Sequence, residues 1–357
     1  MNIILQYFDE EEIHQIKPYG NGHINDTFFI ELKNGERFIL QKINKYVFKY
    51  PEKVMGNIRR VTSFLGEKIS KNGGNPERET LIIVQSKNGQ DYVLDEENEY
   101  WRVYRFVPDA VCYEKAEHPD SFYKVGKAFG NFQNLLIDFP GESLYEVIKD
   151  FHNTQKRYEK FLEVLQTDIR SRAKDVSEEI DFILKRKEYA DYFVEKINAG
   201  ELPIRVTHND TKINNIMMDK RTGEGVCVID LDTVMPGLTA YDFGDAIRSG
   251  ANKSQESEHN LNKVGIDLQM YEAFTRGFLE SLEGKLTELE VKSLPMGAKV
   301  ITYEQGIRYL TDYLEGDIYF KTHYEGQNLM RCRNQLRLLE DMERNWEQMC
   351  QIVETYK

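Results

Sequence analysis

Along this chain the spacing of hydrophobic and polar positions changes character once. Before Pro108 apolar residues come in short alternating runs broken by turn residues; from about His118 onward they recur at helical spacing. Phe28 to Leu32, the turn Lys33-Asn34-Gly35-Glu36, and Phe38 to Ile43 predict a strand, a tight hairpin and a second strand, preceded by a glycine turn at Gly20-Asn21-Gly22. Between Pro51 and Ser70, Val54, Ile58, Val61 and Leu65 mark the single apolar stripe of a helix, with Pro51 suited to its first turn. Leu81 to Val84, Tyr92 to Leu94 and Tyr100 to Val107 then predict three more strands, and Trp101 reads as core because of the surface a tryptophan buries.

Beyond that point Phe122, Val125, Phe129, Phe132 and Leu135 to Leu136 form one amphipathic stripe. Further helices are expected over Tyr158 to Gln166, Glu178 to Gly200 and Met270 to Glu283, with Gln335 to Tyr356 as one long C-terminal helix. Gly306 to Phe320, dense in aromatics and charge, reads from composition as a helix with an exposed charged face. No internal repeat or low-complexity tract interrupts the pattern. The expected fold class is therefore α+β with two lobes: residues 1–108, an antiparallel sheet with one helix, and residues 109–357, mostly helical.

Composition narrows the function classes. A chain of 357 residues suits two lobes rather than one core, and 40% hydrophobic with 12% aromatic residues is globular. A net charge of −13 argues against a nucleic-acid partner, whose phosphates are bound by basic patches. Four widely spaced cysteines without a C-x-x-C pair, no apolar run near eighteen residues and no charged-then-apolar leader lead to the expectation of a cytoplasmic protein with reduced thiols, outside the membrane. Oligomeric state is not encoded in these features; a monomer is the working expectation.

The strongest chemical signal is His208-Asn209-Asp210-Thr211-Lys212-Ile213-Asn214-Asn215, followed by the apolar run Val226 to Ile229 ending in Asp230-Leu231-Asp232. A strand that delivers carboxylates to its tip, beside a polar loop with an acid and an amide five residues apart, suits phosphoryl transfer. Asp210 can accept a hydroxyl proton, while Asn215 and Asp230 supply the hard oxygen ligands that Mg²⁺ prefers. Asp232 is expected either to hold a second ion or to support Asp230. A lone Asp in a loop is usually a turn residue; the whole H-x-D-x4-N plus I-D-x-D array is what carries the reading.

A glycine turn on the first hairpin followed by a basic strand residue matches how a kinase-like lobe covers nucleotide phosphates. This assigns Gly20, Asn21, Gly22 and Lys42 to the nucleotide, with the backbone at Phe106 and Val107 facing the base. One residue of register would instead put Gln41 in the place of Lys42 and turn Lys42 to the other face. Neither Glu52 nor Glu67, near the ends of the Pro51–Ser70 helix, obviously faces inward to pair with a strand lysine.

The 208–232 array resembles the signature of the aminoglycoside phosphotransferase and choline kinase superfamily, whose fold is protein-kinase-like. Gly20 to Asn25, Leu40 to Asn44, Trp101 to Tyr104, Val206 to Asn215, Ile229 to Gly237, Asp242 to Asp245 and Leu314 to Phe320 are similar, more closely, to the N-acetylhexosamine 1-kinases. That resemblance implies Mg²⁺- and ATP-dependent phosphorylation of the anomeric hydroxyl of N-acetylglucosamine or N-acetylgalactosamine. It implies Asp210 as catalytic base, Asn215 and Asp230 as Mg²⁺ ligands, and His23, Arg308, Tyr319, Asp210 and Asp230 as sugar contacts. The chain departs from it at Ser249, where family members can carry an aromatic after the D-x-I-R segment. Two alternatives stand: the same fold acting on another sugar, an aminoglycoside or a choline-like acceptor, and a nucleotide-binding module without activity.

Overall fold

The structure is a computed structural model that describes residues 3–20 and 25–357. It divides into two compact units. The first comprises Met1–Cys112, Asp138–Lys149 and Asn215–Pro236; the second comprises Tyr113–Ile137, Asp150–Asn214 and Gly237–Lys357. The chain thus returns twice to the first unit after leaving it, which local periodicity does not report.

In the first unit a six-stranded antiparallel sheet runs in the order Ile13–Pro18, Asp26–Leu32, Arg37–Lys42, Tyr100–Arg105, Ile83–Val84, with Val93–Leu94 also paired to Tyr100–Arg105. The hairpin register sets Phe28 opposite Leu40 and Asp26 opposite Lys42. Period-two alternation then puts Ile30, Leu32, Phe38, Leu40 and Val103 into one core with Ile4, Tyr7 and Phe8. Trp101 packs against the same core, and its indole N–H donates to Asp95 at 2.8 Å.

Pro51–Lys71 is a helix starting on its proline, and it buries Val54, Met55, Ile58, Val61, Leu65 and Ile69. Each such side chain contributes about 1.5–3 kcal/mol of burial, which is why a helix of modest intrinsic propensity is held. Asn57 on this helix ties down two returning segments, donating to the carbonyls of Tyr145 at 2.7 Å and Val234 at 2.9 Å. A second, three-stranded antiparallel sheet, Gly225–Val228, Ile216–Asp219 and Ala110–Val111, presents the end of its first strand at Ile229-Asp230.

The second unit is helical. Pro119–Leu135 packs on Leu268–Leu282, where Gly126 and Gly277 let the backbones touch: a Cβ on Gly277 would lie 2.2 Å from the Tyr123 carbonyl oxygen. Thr239–Gly250 packs on the 28-residue helix Glu288–Glu315, which Thr287 and Glu290 begin with a reciprocal capping box. Two expected helices are each broken. Glu178 to Gly200 divides into Ser177–Leu184 and Lys187–Asn198 at Arg186, which leaves helical geometry and bonds Glu343 through two nitrogens at 2.8 Å each. The expected C-terminal helix begins earlier, at Gln327, and divides at Asn345 into Gln327–Arg344 and Trp346–Tyr356.

Gly306 to Glu315 is the last part of the Glu288–Glu315 helix, which stops at Gly316 with φ 107° and Asp317 with φ 61°. Ile318 to Phe320 therefore lies outside the helix expected there. Buried Asp312 holds that segment, accepting the backbone N–H groups of Ile318, Tyr319 and Phe320 at 2.7–2.9 Å.

Candidate active site

Each unit carries its own share of the motif residues. In the second unit the stretch His208-Asn209-Asp210 follows a short strand, Arg205–Thr207, and is fixed from behind by the first turn of Thr239–Gly250. The Asp242 carboxylate is buried and accepts the His208 N–H at 2.9 Å and the Asn209 N–H at 2.7 Å, while Gln133 donates to it as well. Burial drives the Asp242 carboxyl above its ordinary pKa, against His208 and these donors. Asn209 sits in the left-handed region at φ 65°, a conformation asparagine tolerates, and it exchanges hydrogen bonds with Thr207: Thr207 Oγ1 donates at 2.9 Å and Asn209 Nδ2 donates to the Thr207 carbonyl at 3.2 Å. The backbone immediately before Asp210 is thus tied to Asp242 and by the bonds within residues 207–209.

Asp210 is partly exposed, and its N–H donates to His208 Nδ1 at 3.2 Å. The Lys212 ammonium lies 2.6 Å from Asp210 Oδ1, and Asp210, foremost among its neighbours, pushes the lysine up to about 12. One turn beyond Asp242 on the same helix, buried Asp245 takes Arg248 through Nε at 3.1 Å and Nη2 at 2.8 Å, and Arg248 reaches Glu256 at 2.7 Å. Sequence reasoning did not assign Lys212, Arg248 or Glu256; the signal for the first was its place two residues after Asp210.

Also in the second unit, His152 connects the loop to a buried charge. Its Nε2 stands 3.4 Å from the Asn209 carbonyl oxygen and its Nδ1 2.9 Å from Glu304, whose other oxygen accepts Thr154 Oγ1 at 2.8 Å. Arg308, expected as a sugar contact, projects between Phe151 and Phe320, its guanidinium 5.5 and 5.4 Å from their ring centroids. Tyr319, expected beside it, is 52% exposed and has its ring against Phe320 at 4.8 Å.

In the first unit Asn215 is buried, and its carbonyl oxygen accepts the Ile229 N–H at 2.9 Å. This fixes the entry to Asp230, an exposed residue in the left-handed region at φ 56°. Asp232, expected among the metal ligands, is occupied otherwise. Its Oδ1 pairs with Arg102 Nη1, and its Oδ2 accepts Arg102 Nη2 at 3.0 Å and Asn25 Nδ2 at 2.7 Å. Both oxygens of Asp232 are thus engaged within the first unit. Burial opposes the Arg102 charge, but Asp232, Tyr104 and Asp230 hold the guanidinium above its ordinary pKa.

The register of the sheet decides between Gln41 and Lys42. Gln41 faces Arg102 and accepts its Nε at 3.1 Å and Nη2 at 2.9 Å, whereas Lys42 lies on the opposite face, 3.9 Å from Glu99. The basic residue on the Asp232 side is thus Arg102, from the strand paired to Arg37–Lys42, and Lys42 is corrected to the far face. Glu67 pairs with Lys71 on the helix surface at 3.8 Å. Gly20 has φ 74°; Asn21, Gly22 and His23 lie outside the described residues. Val107 is buried, and the Phe106 N–H is taken by the Arg37 carbonyl at 3.0 Å.

Among the described residues no three His, Cys, Asp or Glu side chains converge as a metal cage. Asn215 and Asp230 are the other two oxygen-bearing residues expected at a metal. A set of one or two protein oxygens completed by water and phosphate is how Mg²⁺ is commonly bound, so the donor set fits that ion.

A loop carrying a carboxylate and a strand that ends in an acid recur in phosphoryl-transfer enzymes, and the family comparison agrees. Residues 15–265 match the model of the phosphotransferase enzyme family, and the chain belongs to that family. Its fold is similar to an aminoglycoside phosphotransferase from Alicyclobacillus acidocaldarius (13% identity, TM-score 0.64, 99% of this chain and 96% of that one). It is similar also to a microcompartment-associated aminopropanol kinase (14%, 0.58, 97% and 96%) and to a choline kinase from Cryptosporidium parvum Iowa II (12%, 0.52, 98% and 94%). The protein-kinase-like α+β fold expected from the sequence is the one observed. Among the described residues no helix is long and apolar enough to cross a membrane.

Proposed function

We propose that the protein is a small-molecule kinase that moves the γ-phosphoryl group of ATP to the anomeric hydroxyl of an N-acetylhexosamine, giving the sugar 1-phosphate. The observation that carries the kinase reading is the clamp on the catalytic loop: Asp242 holds two consecutive backbone N–H groups immediately before Asp210, five residues ahead of Asn215 in the chain. The sugar reading rests on the resemblance of the segments around Gly20, Trp101, Asp242 and Leu314 to N-acetylhexosamine 1-kinases.

In this mechanism Asp210 orients the acceptor hydroxyl and takes its proton as the hydroxyl oxygen bonds to the γ-phosphorus and the bond to the bridging oxygen of ADP breaks. An anomeric hydroxyl is more acidic than an ordinary alcohol, so orientation is the larger part of this work. Asn215 and Asp230 would hold Mg²⁺, which when bound neutralises charge on the ATP phosphates. Lys212, 2.6 Å from Asp210 Oδ1, holds the carboxylate in place until the acceptor enters. The Arg308 guanidinium and the Tyr319 hydroxyl supply polar groups to the sugar, and excluding water from ATP is part of the task. Localisation is proposed as cytoplasmic, where ATP is available.

The test is ADP formation from Mg²⁺-ATP with N-acetylglucosamine, N-acetylgalactosamine, other hexoses, choline and aminoglycosides, with the product identified by ³¹P NMR. A phosphorus coupled to the anomeric proton of an N-acetylhexosamine supports the reading. ADP formed only with a different acceptor leaves the family and removes the sugar 1-kinase.

A further inference from the structure

Five carboxylates that contact the machinery of their unit are buried: Asp232, Asp242, Asp245, Glu304 and Asp312. Four have both oxygens engaged. Asp232 uses both on Arg102 and Asn25, Asp242 on the backbone of residues 208–209 and on Gln133, Glu304 on His152 and Thr154, and Asp312 on the turn at 318–320 and on Asn328. Asp245 differs. Its Oδ1 takes both contacts from Arg248, while Oδ2 is buried and has no hydrogen-bond partner among the described residues. A buried carboxylate oxygen lacking a donor is unfavourable, and a water or a bound molecule can supply the missing donor.

Its surroundings say where that donor comes from. Asp245 follows Asp242 by three residues on one helix face, and Asp242 holds the catalytic loop. The Lys212 ammonium, 2.6 Å from Asp210, feels Asp245 as well. Asp245 therefore lies within electrostatic reach of the lysine that pairs with the catalytic carboxylate, in the same unit. Charge in the cluster is balanced: Asp210, Asp245 and Glu256 are matched by Lys212, Arg248 and Arg331, with Arg248 bridging Asp245 and Glu256. A cationic acceptor would arrive in a neutral cluster that offers it no surplus negative charge, whereas a neutral polyol would meet an unused hydrogen-bond acceptor.

We propose that Asp245 is the specificity-determining contact for the phosphate acceptor, its Oδ2 receiving a hydroxyl or amide N–H of a neutral, polyhydroxylated molecule. The inference rests on the kinase reading above and makes it narrower. It separates this protein from relatives of the same fold whose names refer to amino alcohols and aminoglycosides.

The experiment is steady-state kinetics on the wild-type enzyme and Asp245→Asn, with acceptors varied at saturating Mg²⁺-ATP. Asparagine keeps an oxygen for Arg248 and replaces Oδ2 by an N–H₂ that repels a donor. The expected result is an acceptor KM raised about tenfold or more with the ATP KM within about twofold. In parallel, monodeoxy and de-N-acetylated analogues of the best acceptor are scanned on the wild-type enzyme, a measurement that stands even where the variant does not fold. One deletion should lower kcat/KM about tenfold or more, and the folded variant should lose that discrimination.

A folded Asp245→Asn enzyme with unchanged acceptor KM overturns the proposal, as does a wild-type enzyme insensitive to every deletion or one that prefers choline or an aminoglycoside. The sugar 1-kinase reading fails separately. If the best acceptor is a neutral polyol other than an N-acetylhexosamine, that reading falls and the role of Asp245 is read on the polyol.

Discussion

Arg102 and Asp232 form a two-point ion pair whose side chains are 1% and 3% exposed, on the face of the sheet that Gln41 shares. The pair organises the turn that carries Asp230, because Asp232 follows it by two residues and Asn25 from the first hairpin closes on the same carboxylate. Removing one partner of such a pair leaves the other charge buried and alone. Asp232→Ala should therefore lower the unfolding free energy by about 3–5 kcal/mol, seen as a reduced urea midpoint. Asp230→Ala, at an exposed position, should unfold close to wild type while losing Mg²⁺-dependent turnover. An Asp232→Ala protein of wild-type stability would return Asp232 to the metal ligands.

Asp210→Asn keeps the loop backbone and removes the carboxylate. The expectation is a kcat lower by about 10²–10⁴ with the ATP KM little changed, since orientation and proton removal are lost but nucleotide contacts are not. Retention of half the activity would rule Asp210 out as the base.

Asp242 acts through the loop. Asp242→Ala strands the His208 and Asn209 N–H groups and the Gln133 amide in the interior, at a cost of about 1–3 kcal/mol for each group left without a partner. Activity should fall more steeply than stability, because Asp210 is then no longer aimed. Measuring kcat and chemical denaturation on one preparation separates the two; equal loss of both would reduce Asp242 to a core residue.

Glu304 makes acid sensitivity testable. Burial works to raise its carboxyl, but His152, Arg157 and Arg308 outweigh burial and hold it below its ordinary pKa. A carboxyl depressed in the folded state contributes stability above its unfolded pKa, near 4.5, and that stability drains away as pH falls through the folded value. Glu304→Gln should flatten the loss of stability on acidification below about pH 5, measured by urea unfolding across pH. A slope identical to wild type would mean that other groups set the acid limit.

Much of this was legible because it is local. Alternation over Phe28 to Ile43 gave the hairpin, the 3–4 spacing of Val54, Ile58, Val61 and Leu65 gave the helix, and the spacing of Asp210, Asn215 and Asp230 gave the candidate chemistry. What escaped depends on distant pairing. Lys42 and Gln41 are neighbours in sequence, and only the strand at Tyr100–Arg105 determines which faces Asp232. Arg102 looked like one polar residue in an alternating run, since its partner lies 130 residues away. The breaks at Arg186 and Asn345 have no proline or glycine to announce them, and the one at Arg186 goes with its tertiary contact to Glu343. Asp245 was visible only as part of a resemblance; the unused oxygen is a property of three dimensions.

Gly244 and Gly297 seat the Thr239–Gly250 helix so closely on Glu288–Glu315 that a Cβ on Gly244 would lie 2.4 Å from the Gly297 carbonyl oxygen. That floor cannot be thickened, so the helix has freedom to vary only on its outer side. There Ser249 is exposed and turns its hydroxyl back onto the Asp245 carbonyl at 2.8 Å, presenting outward neither ring, charge nor spare donor. Natural drift or deliberate redesign can therefore adjust bulk at this one position while Asp242 and Asp245 stay where they are, which makes Ser249 a steric dial mounted on a fixed shaft.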